Sequence, residues 1–343
     1  MKTKKVIALT RPLVILLTIA VACSFLMLTT ATVQAAAKKP VKLTWVSIVP
    51  LIPGTGPFFM NKFFFEEVNK KSNGEIIWEF LGGPEVIAHA DLGNAVKNGI
   101  IGAATPSFGA YEAIVPGVMG MILSNLTLDE EQVPGGLHDY AVEQHKKGGL
   151  MFLGRGTPSE TDFFYTFLRN KKAETKEDFA KLNLAVVTSG RPAVQAWGAT
   201  PISVASEETY TSLERGMVNG IAAAALANGV TQGLREVIDY VIDVPYYKGS
   251  LSCIMNLDSF NGLTAGQQKL LIDTYREAER KIIVASAETD AKRRSLIEQA
   301  GVEFYKLSPE MAEWYVTGAY RAGWEYQAKR FPEQTAAMRA FMK

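Results

Sequence analysis

The order in which strand-like and helix-like segments alternate constrains this chain more than any other feature. Residues 41–49 alternate apolar and polar side chains and are rich in branched residues, which is the pattern of a strand. Pro50, Pro53, Gly54, Gly56 and Pro57 then mark a loop. Over 58–71, Phe59, Phe63, Phe64 and Val68 recur at helical spacing, and Ser72, Asn73 and Gly74 end that helix. A second strand is predicted over 75–80, a helix over 90–97 closed by Asn98 and Gly99, and a buried strand over 100–105. This β-α-β-α-β order calls for a parallel sheet with helices packed on it.

A second α/β unit begins after the aromatic stretch 163–167. Thr175 opens a short helix with Glu177 and Asp178 in its first turn, where the helix dipole favours acids. The pattern continues as strand 182–187, helix 192–197 stopped by Gly198, strand 202–204, helix 207–216 and strand 219–224. Segments 237–244 and 251–256 alternate and link the two units. The chain ends in helices: a long one from 264 to about 300, apolar at Leu270, Leu271, Tyr275 and Ile282, and another over 309–330. At 343 residues the chain is long enough for two cores.

The first residues read as a leader. Lys2, Lys4, Lys5 and Arg11 precede an apolar run over 12–28, and Val33, Gln34, Ala35, Ala36 and Ala37 follow. That is the basic, apolar and small-residue order of a secretory signal, with cleavage expected near 35–37. An uncleaved anchor is the alternative, since the run is nearly long enough to span a bilayer. Cleavage removes Cys23 and leaves Cys253 alone, so no internal disulfide is expected. The net charge of +1 excludes a strongly basic nucleic-acid binder.

The motifs of catalysis are absent. There is no Gly-x-Ser-x-Gly elbow, Walker loop, Cys-x-x-Cys or His-Glu-x-x-His. Gly54 and Gly56 follow a strand, but Pro57 and the missing third glycine argue against a dinucleotide loop. His138 and His145 stand seven apart near Glu143; a solvated helix face is the expected reading over a zinc site. Cys253 lies between apolar residues and reads as an inert core thiol. No cofactor and no metal is expected.

One family joins these observations. The run FFFEEVNKKSNG (63–74), GGPEVI (82–87), AVKNG (95–99) and YEAIVP (111–116) follow at characteristic intervals. Later come GATPI (198–202), Glu208-Thr209-Tyr210 with Leu213, Gly216, Asn219 and Gly220, then Asn256-Leu257-Asp258 with Leu263, Thr264, Gln267 and Gln268. In their order and spacing these resemble the DctP-like extracytoplasmic solute receptors of tripartite ATP-independent periplasmic (TRAP) transporters. The resemblance covers essentially the whole mature chain. It implies an α/β, two-lobe periplasmic binding protein fold with long C-terminal helices. It also implies a small-molecule ligand held in an interlobe cleft, periplasmic location, and delivery to the membrane permease subunits of a TRAP transporter. The expected division is 1–37 signal peptide, 38–165 with 251–285 as lobe I, and 166–250 with 286–343 as lobe II. Crossing strands near Tyr165 and Leu251 are the expected hinge. A monomer is expected, with a dimer as the alternative.

The chain departs from the family where ligand charge is usually met. Relatives bind a carboxylate with an arginine at the position matching Ala185, and an accompanying arginine matches Tyr165. Their polar amide matches Ala223. An arginine clamp grips a carboxylate through two charge-assisted bonds, so its loss points to a neutral, aromatic or weakly polar ligand. The candidate ligand-binding residues are Glu85, His89, Ser107, Tyr111, Tyr165, Arg191, Ser206, Ala223 and Tyr247, with Lys248 as an alternative source of charge. Each also has a plainer role: Glu85 as a helix cap, His89 as a solvated helix start, Tyr165 as core. Arg191 sits at a helix start, where a cation opposes the dipole, and this misfit favours a ligand or an acid nearby. Two other functions use the same residues. One is a secreted enzyme with Glu85 and His89 as acid and base, which lacks a nucleophile or metal. The other is a receptor feeding a sensor or lipid-trafficking system.

Overall fold

The computed structural model describes residues 39–157, 160–161, 163–205, 208–249 and 251–342. The leader expected over 1–37 and the candidate Ser206 lie outside them. The chain begins with β1 (Val41–Ser47), then a helical stretch made of α1 (Gly56–Met60), a wide turn (Asn61–Phe65) and α2 (Glu66–Lys71). In the wide turn Glu66 N–H donates to Asn61 O, one residue further back than in an α-helix. That extra residue lets the consecutive Phe64 and Phe65 both bury. Next come β2 (Ile76–Gly82), α3 (Leu92–Lys97), β3 (Ala103–Thr105), α4 (Leu128–Glu131), α5 (Leu137–Lys147) and β4 (Leu150–Arg155). The second unit holds β5 (Tyr165–Leu168), α6 (Lys176–Phe179), β6 (Asn183–Ala185), α7 (Arg191–Ala196), β7 (Thr200–Ile202), α8 (Thr209–Glu214), β8 (Gly220–Ala224), α9 (Leu226–Thr231) and β9 (Tyr240–Ile242). The remainder is β10 (Ser252–Asn256), α10 (Leu257–Asn261), α11 (Ala265–Gln299), β11 (Glu303–Tyr305), α12 (Pro309–Arg330) and α13 (Pro332–Arg339).

The strands form two sheets, β2-β1-β3-β10-β4 and β11-β9-β5-β8-β6-β7. Each is parallel except for one strand. β10 runs antiparallel to both its neighbours in the first sheet, and β5 does so in the second. These are the strands that the chain enters directly on crossing from one sheet to the other. The two crossing segments run side by side: Gly156 N–H donates to Leu251 O (2.9 Å), Phe164 N–H to Tyr247 O (2.9 Å), and Tyr246 N–H to Phe164 O (3.1 Å). The molecule is thus a two-lobe α/β protein in which a pair of strands joins the lobes.

Each sheet has its own apolar packing. Trp45, Phe64, Phe65, Trp78 and Tyr275 fill the first, with Trp45 stacked on Phe65 at 4.0 Å between ring centroids. Phe167, Leu213, Val218, Val241 and Ile297 fill the second. A further cluster runs without a break from Val46, Phe108 and Ile122 to Trp197, Tyr246 and Tyr315. Full burial of one such side chain stabilises by about 1.5–3 kcal/mol, so this shared cluster holds the lobes against each other. Helix α11 starts at a capping box, Thr264 with Gln267. It packs on α2 and β4 of the first sheet and on α9 of the second. Its approach to β4 needs Gly154, where a Cβ would stand 2.4 Å from the Tyr275 ring. Helix α12 opens with Pro309 after the cap Ser308 and packs on α7 and on the turn Val118–Leu123.

Four features differ from the sequence reading, the first being the strand expected over 202–204, which is β7 and ends at Ile202. The strand expected over 182–187 is β6 alone, because Val186 and Val187 already turn toward α7. Helix α5 and strand β4 were not anticipated: α5 carries a polar sequence around its buried face, and β4 ends on a buried arginine. His138 and His145, expected on a solvated face, are 8% and 0% exposed. His145 Nδ1 donates to Ala141 O (2.6 Å), which leaves Nε2 to accept from Tyr111 Oη (3.0 Å), and its ring stacks on Phe152. Burial pushes the pKa of both histidines down to about 4, so both are neutral parts of the packing.

Candidate functional site

Ends of parallel strands from both sheets converge on the crossing segments. After β3, Ser107 pairs with Leu251 as an isolated bridge. At the penultimate residue of β8, Ala223 N–H donates to Tyr246 Oη (2.6 Å). The loop after β3 and the end of β8 therefore meet one seam, the place where open α/β sheets bind ligands.

On the first sheet His89 and Ser107 come together. Ser107 N–H lies 3.3 Å from His89 Nε2 and its hydroxyl lies 2.9 Å from the same atom. A backbone donor into Nε2 fixes that nitrogen as the acceptor and puts the ring proton on Nδ1. Burial lowers the His89 pKa, so the ring is neutral at neutral pH. Glu85 is exposed and accepts from Gly83 N–H (2.6 Å), and that bond, with its own N–H, lowers its pKa. Glu85 is thus held by its own turn and His89 by Ser107, and the acid–base pair of the enzyme reading is not assembled.

On the second sheet Arg191 is the first residue of α7, and its Nη2 donates to Ser203 Oγ (2.7 Å). Its cation is directed along the rim of the sheet, at a neutral hydroxyl. Ala223 adopts φ +59°, a left-handed conformation unusual for a residue with a Cβ. Gly190 makes room for it, since a Cβ there would stand 2.7 Å from the Ala223 Cβ. Strain of this kind clusters at ligand sites and costs on the order of 1–3 kcal/mol. Tyr165 is half-buried opposite Ala224 at the start of β5. Ala185, the residue expected at the family's arginine position, is 2% exposed within the second sheet's packing.

Two predicted residues lie inside the packing. Tyr111 is buried with its hydroxyl on His145, and burial raises its pKa. Tyr247 is buried and donates to Ala319 O (2.6 Å). Lys248 is 7% exposed with Nζ on Leu126 O; burial, then the Arg155 charge, lowers its pKa to about 8.

Lys248 belongs to a charged network that sequence reasoning missed. Arg155, 1% exposed, grips Glu131 through Nε and Nη2 (both 2.8 Å) and also donates to Met121 O. Ser124 Oγ donates to the same carboxylate (2.7 Å). Glu279 of α11 accepts from Arg155 N–H (2.9 Å) and Gln132 Nε2 (2.6 Å), while burial pushes its pKa up to about 8. The network sits where β4 leaves the first sheet, directly before the crossing segment.

A second missed feature is a small pocket between Met119, Ile122 and Leu123 on the first lobe's turn, Ser189 and Pro192 at the start of α7, Tyr247 on a crossing segment, and Gly323, Tyr326 and Gln327 on α12. The readable signal was the buried i, i+4 stripe Tyr315, Ala319, Gly323, Gln327, whose last member is polar.

Two lobes joined by paired crossing strands, with strand ends of both meeting at the seam, define the class of bilobal α/β binding proteins. The family model for bacterial extracellular solute-binding protein, family 7 (DctP), matches residues 59–320, and the chain belongs to that family of solute-binding receptors. Its fold is similar to that of a TRAP periplasmic solute-binding protein from Ochrobactrum anthropi, at 18% identity, 88% of this chain, 95% of that chain and a TM-score of 0.75. It is similar to one from Desulfovibrio salexigens with bound orotic acid, at 16% identity, 88% and 97% coverage and a TM-score of 0.76. It is also similar to TeaA, the ectoine-binding protein of the TeaABC TRAP transporter, at 17% identity, 88% and 97% coverage and a TM-score of 0.74.

Proposed function

We propose that the mature chain is a periplasmic receptor that captures a small organic solute between its lobes and delivers it to the membrane permease subunits of a TRAP-type transporter. In this reading lobe I is 38–165 with 251–285 and lobe II is 166–250 with 286–343, while 1–37 is removed on export. The supporting observation is the pair of antiparallel crossing segments at which strand ends of both sheets meet. A solute that touches both lobes shifts the open–closed equilibrium by its differential affinity for the closed form.

The solute is neutral, aromatic or weakly polar. Ala185 and Tyr165 stand at the family's arginine positions, His89 is neutral, Arg191 is directed at Ser203, and Lys248 at a backbone carbonyl. His89, Ser107, Tyr165, Arg191 and the strained Ala223 turn line the seam in this reading. One neighbour of the same fold holds orotic acid and another is named an ectoine-binding protein, so the scaffold leaves ligand choice to such residues. Uptake of the solute by membrane vesicles holding the permease, dependent on added receptor, tests the transport assignment. A receptor that binds solute without supporting uptake belongs instead to a sensor or lipid-trafficking system.

A further inference from the structure

Gln327 is 2% exposed, and neither its Nε2 nor its Oε1 has a hydrogen-bond partner. A buried carboxamide with both ends unpaired is rare, because each unpaired group carries a full desolvation penalty. Its side chain lines the pocket between the lobes. The other walls are apolar except for Ser189 and the hydroxyl-bearing Tyr247 and Tyr326, and no cation is among the lining residues. Gly323 keeps the space open: a Cβ there would stand 2.6 Å from Tyr247 Oη and 2.7 Å from Leu123 Cδ2. In this conformation the pocket has room for about one water-sized group. Its walls come from both lobes, so lobe separation widens it. The 188–192 turn that supplies Ser189 and Pro192 follows β6, at the strand ends that form the seam.

We infer that Gln327 is a specificity-determining contact, holding a small neutral head group that presents a hydrogen-bond acceptor and donor side by side, as in a carboxamide, lactam or imide, on a mainly apolar molecule. This rests on the interlobe-capture reading above. A side-chain amide displays a C=O acceptor and an N–H donor on one carbon, and a group with the reciprocal pair satisfies both with two parallel bonds. A carboxylate offers acceptors alone and would be buried against apolar walls without a counter-charge.

The test uses benzamide, benzoate and acetophenone, titrated by calorimetry against the mature wild-type chain and against Gln327→Leu and Gln327→Met. Benzamide supplies both groups, acetophenone the acceptor only, and benzoate the charge. Wild type is expected to prefer benzamide, and both variants to weaken it about 10-fold while acetophenone stays within about 3-fold. Thermal unfolding of the variants is expected at or above the wild-type midpoint, since an unpaired buried amide has been removed. The inference is overturned by unchanged benzamide affinity in a folded variant, by tighter binding of benzoate than of benzamide to wild type, or by no binding of benzamide to wild type. Co-purified solute, measured separately by native mass spectrometry, distinguishes the failures: retained solute with any of these results removes the Gln327 contact and leaves interlobe capture standing.

Discussion

The base of the hinge and the seam above it use polar side chains in opposite ways. At the base, Arg155, Glu131, Lys248 and Glu279 are all less than 8% exposed and bonded to one another or to backbone. At the proposed seam, His89 is neutral, Arg191 is held by a hydroxyl, and Ala185 and Tyr165 stand where the resemblance implies arginines. The comparison teaches that ionic groups at the junction bond to other parts of the chain, while in the proposed reading the seam keeps one cation, Arg191, on a neutral hydroxyl. A charge in the binding seam meets a carboxylate ligand; a charge at the junction meets another part of the chain.

The largest expected effect lies at the junction. Arg155→Met leaves Glu131 buried without its cation and is expected to lower unfolding free energy by about 3–5 kcal/mol, read by urea denaturation. Arg155→Met with Glu131→Leu is expected to recover most of that loss. If the single substitution is neutral, the network is not a structural junction. At the lobe contact, Gly323→Ala forces a Cβ onto Tyr247 and Leu123 and is expected to cost about 1–3 kcal/mol by the same measurement.

A pH titration sharpens the comparison further. Glu279 holds, up to pH of about 8, a proton that the unfolded chain loses near 4.5, so its contribution to stability falls as pH rises through that window. Lys248 loses its proton near 8 while the unfolded chain keeps it to 10.5, so its contribution rises over that interval. Between pH 7 and 9 each amounts to about 1.4 kcal/mol with opposite sign, and the pair leaves wild-type stability nearly flat. Glu279→Gln is expected to become more stable over that range and Lys248→Met less stable. Equal pH profiles in both variants would contradict the assigned windows. The smallest effect belongs to the seam: Arg191→Ala removes one exposed hydrogen bond to Ser203 and is expected to change stability by less than about 1 kcal/mol.

The fold was legible because its signals are local. The Thr264–Gln267 capping box, Pro309 after Ser308 and the Phe-rich helical period state their elements within a few residues. Helix α5 was not legible, because its buried His138 and His145 read as polar until Phe152 and Tyr111 are packed on them. The seam was partly legible: the pairing of His89 with Ser107 spans 18 positions and lies between residues already singled out. Tyr111 was singled out by position along the chain, which does not say which face of a loop a side chain takes, whereas Tyr247, also buried, lines the interlobe pocket. Arg155 and Gln327 were missed because burial turns an ordinary surface residue type into a structural one, and burial depends on contacts as distant as Glu279 and Leu123.

The central claim is that this receptor holds a neutral solute in a seam whose charges are committed elsewhere. Native mass spectrometry of the chain purified from a periplasmic extract, followed by identification of the released small molecule, tests it most directly. The account predicts a neutral, largely apolar compound that remains bound in Arg191→Ala. A mono- or dicarboxylate whose binding is abolished by Arg191→Ala would contradict it, because the charge would then reside in the seam after all.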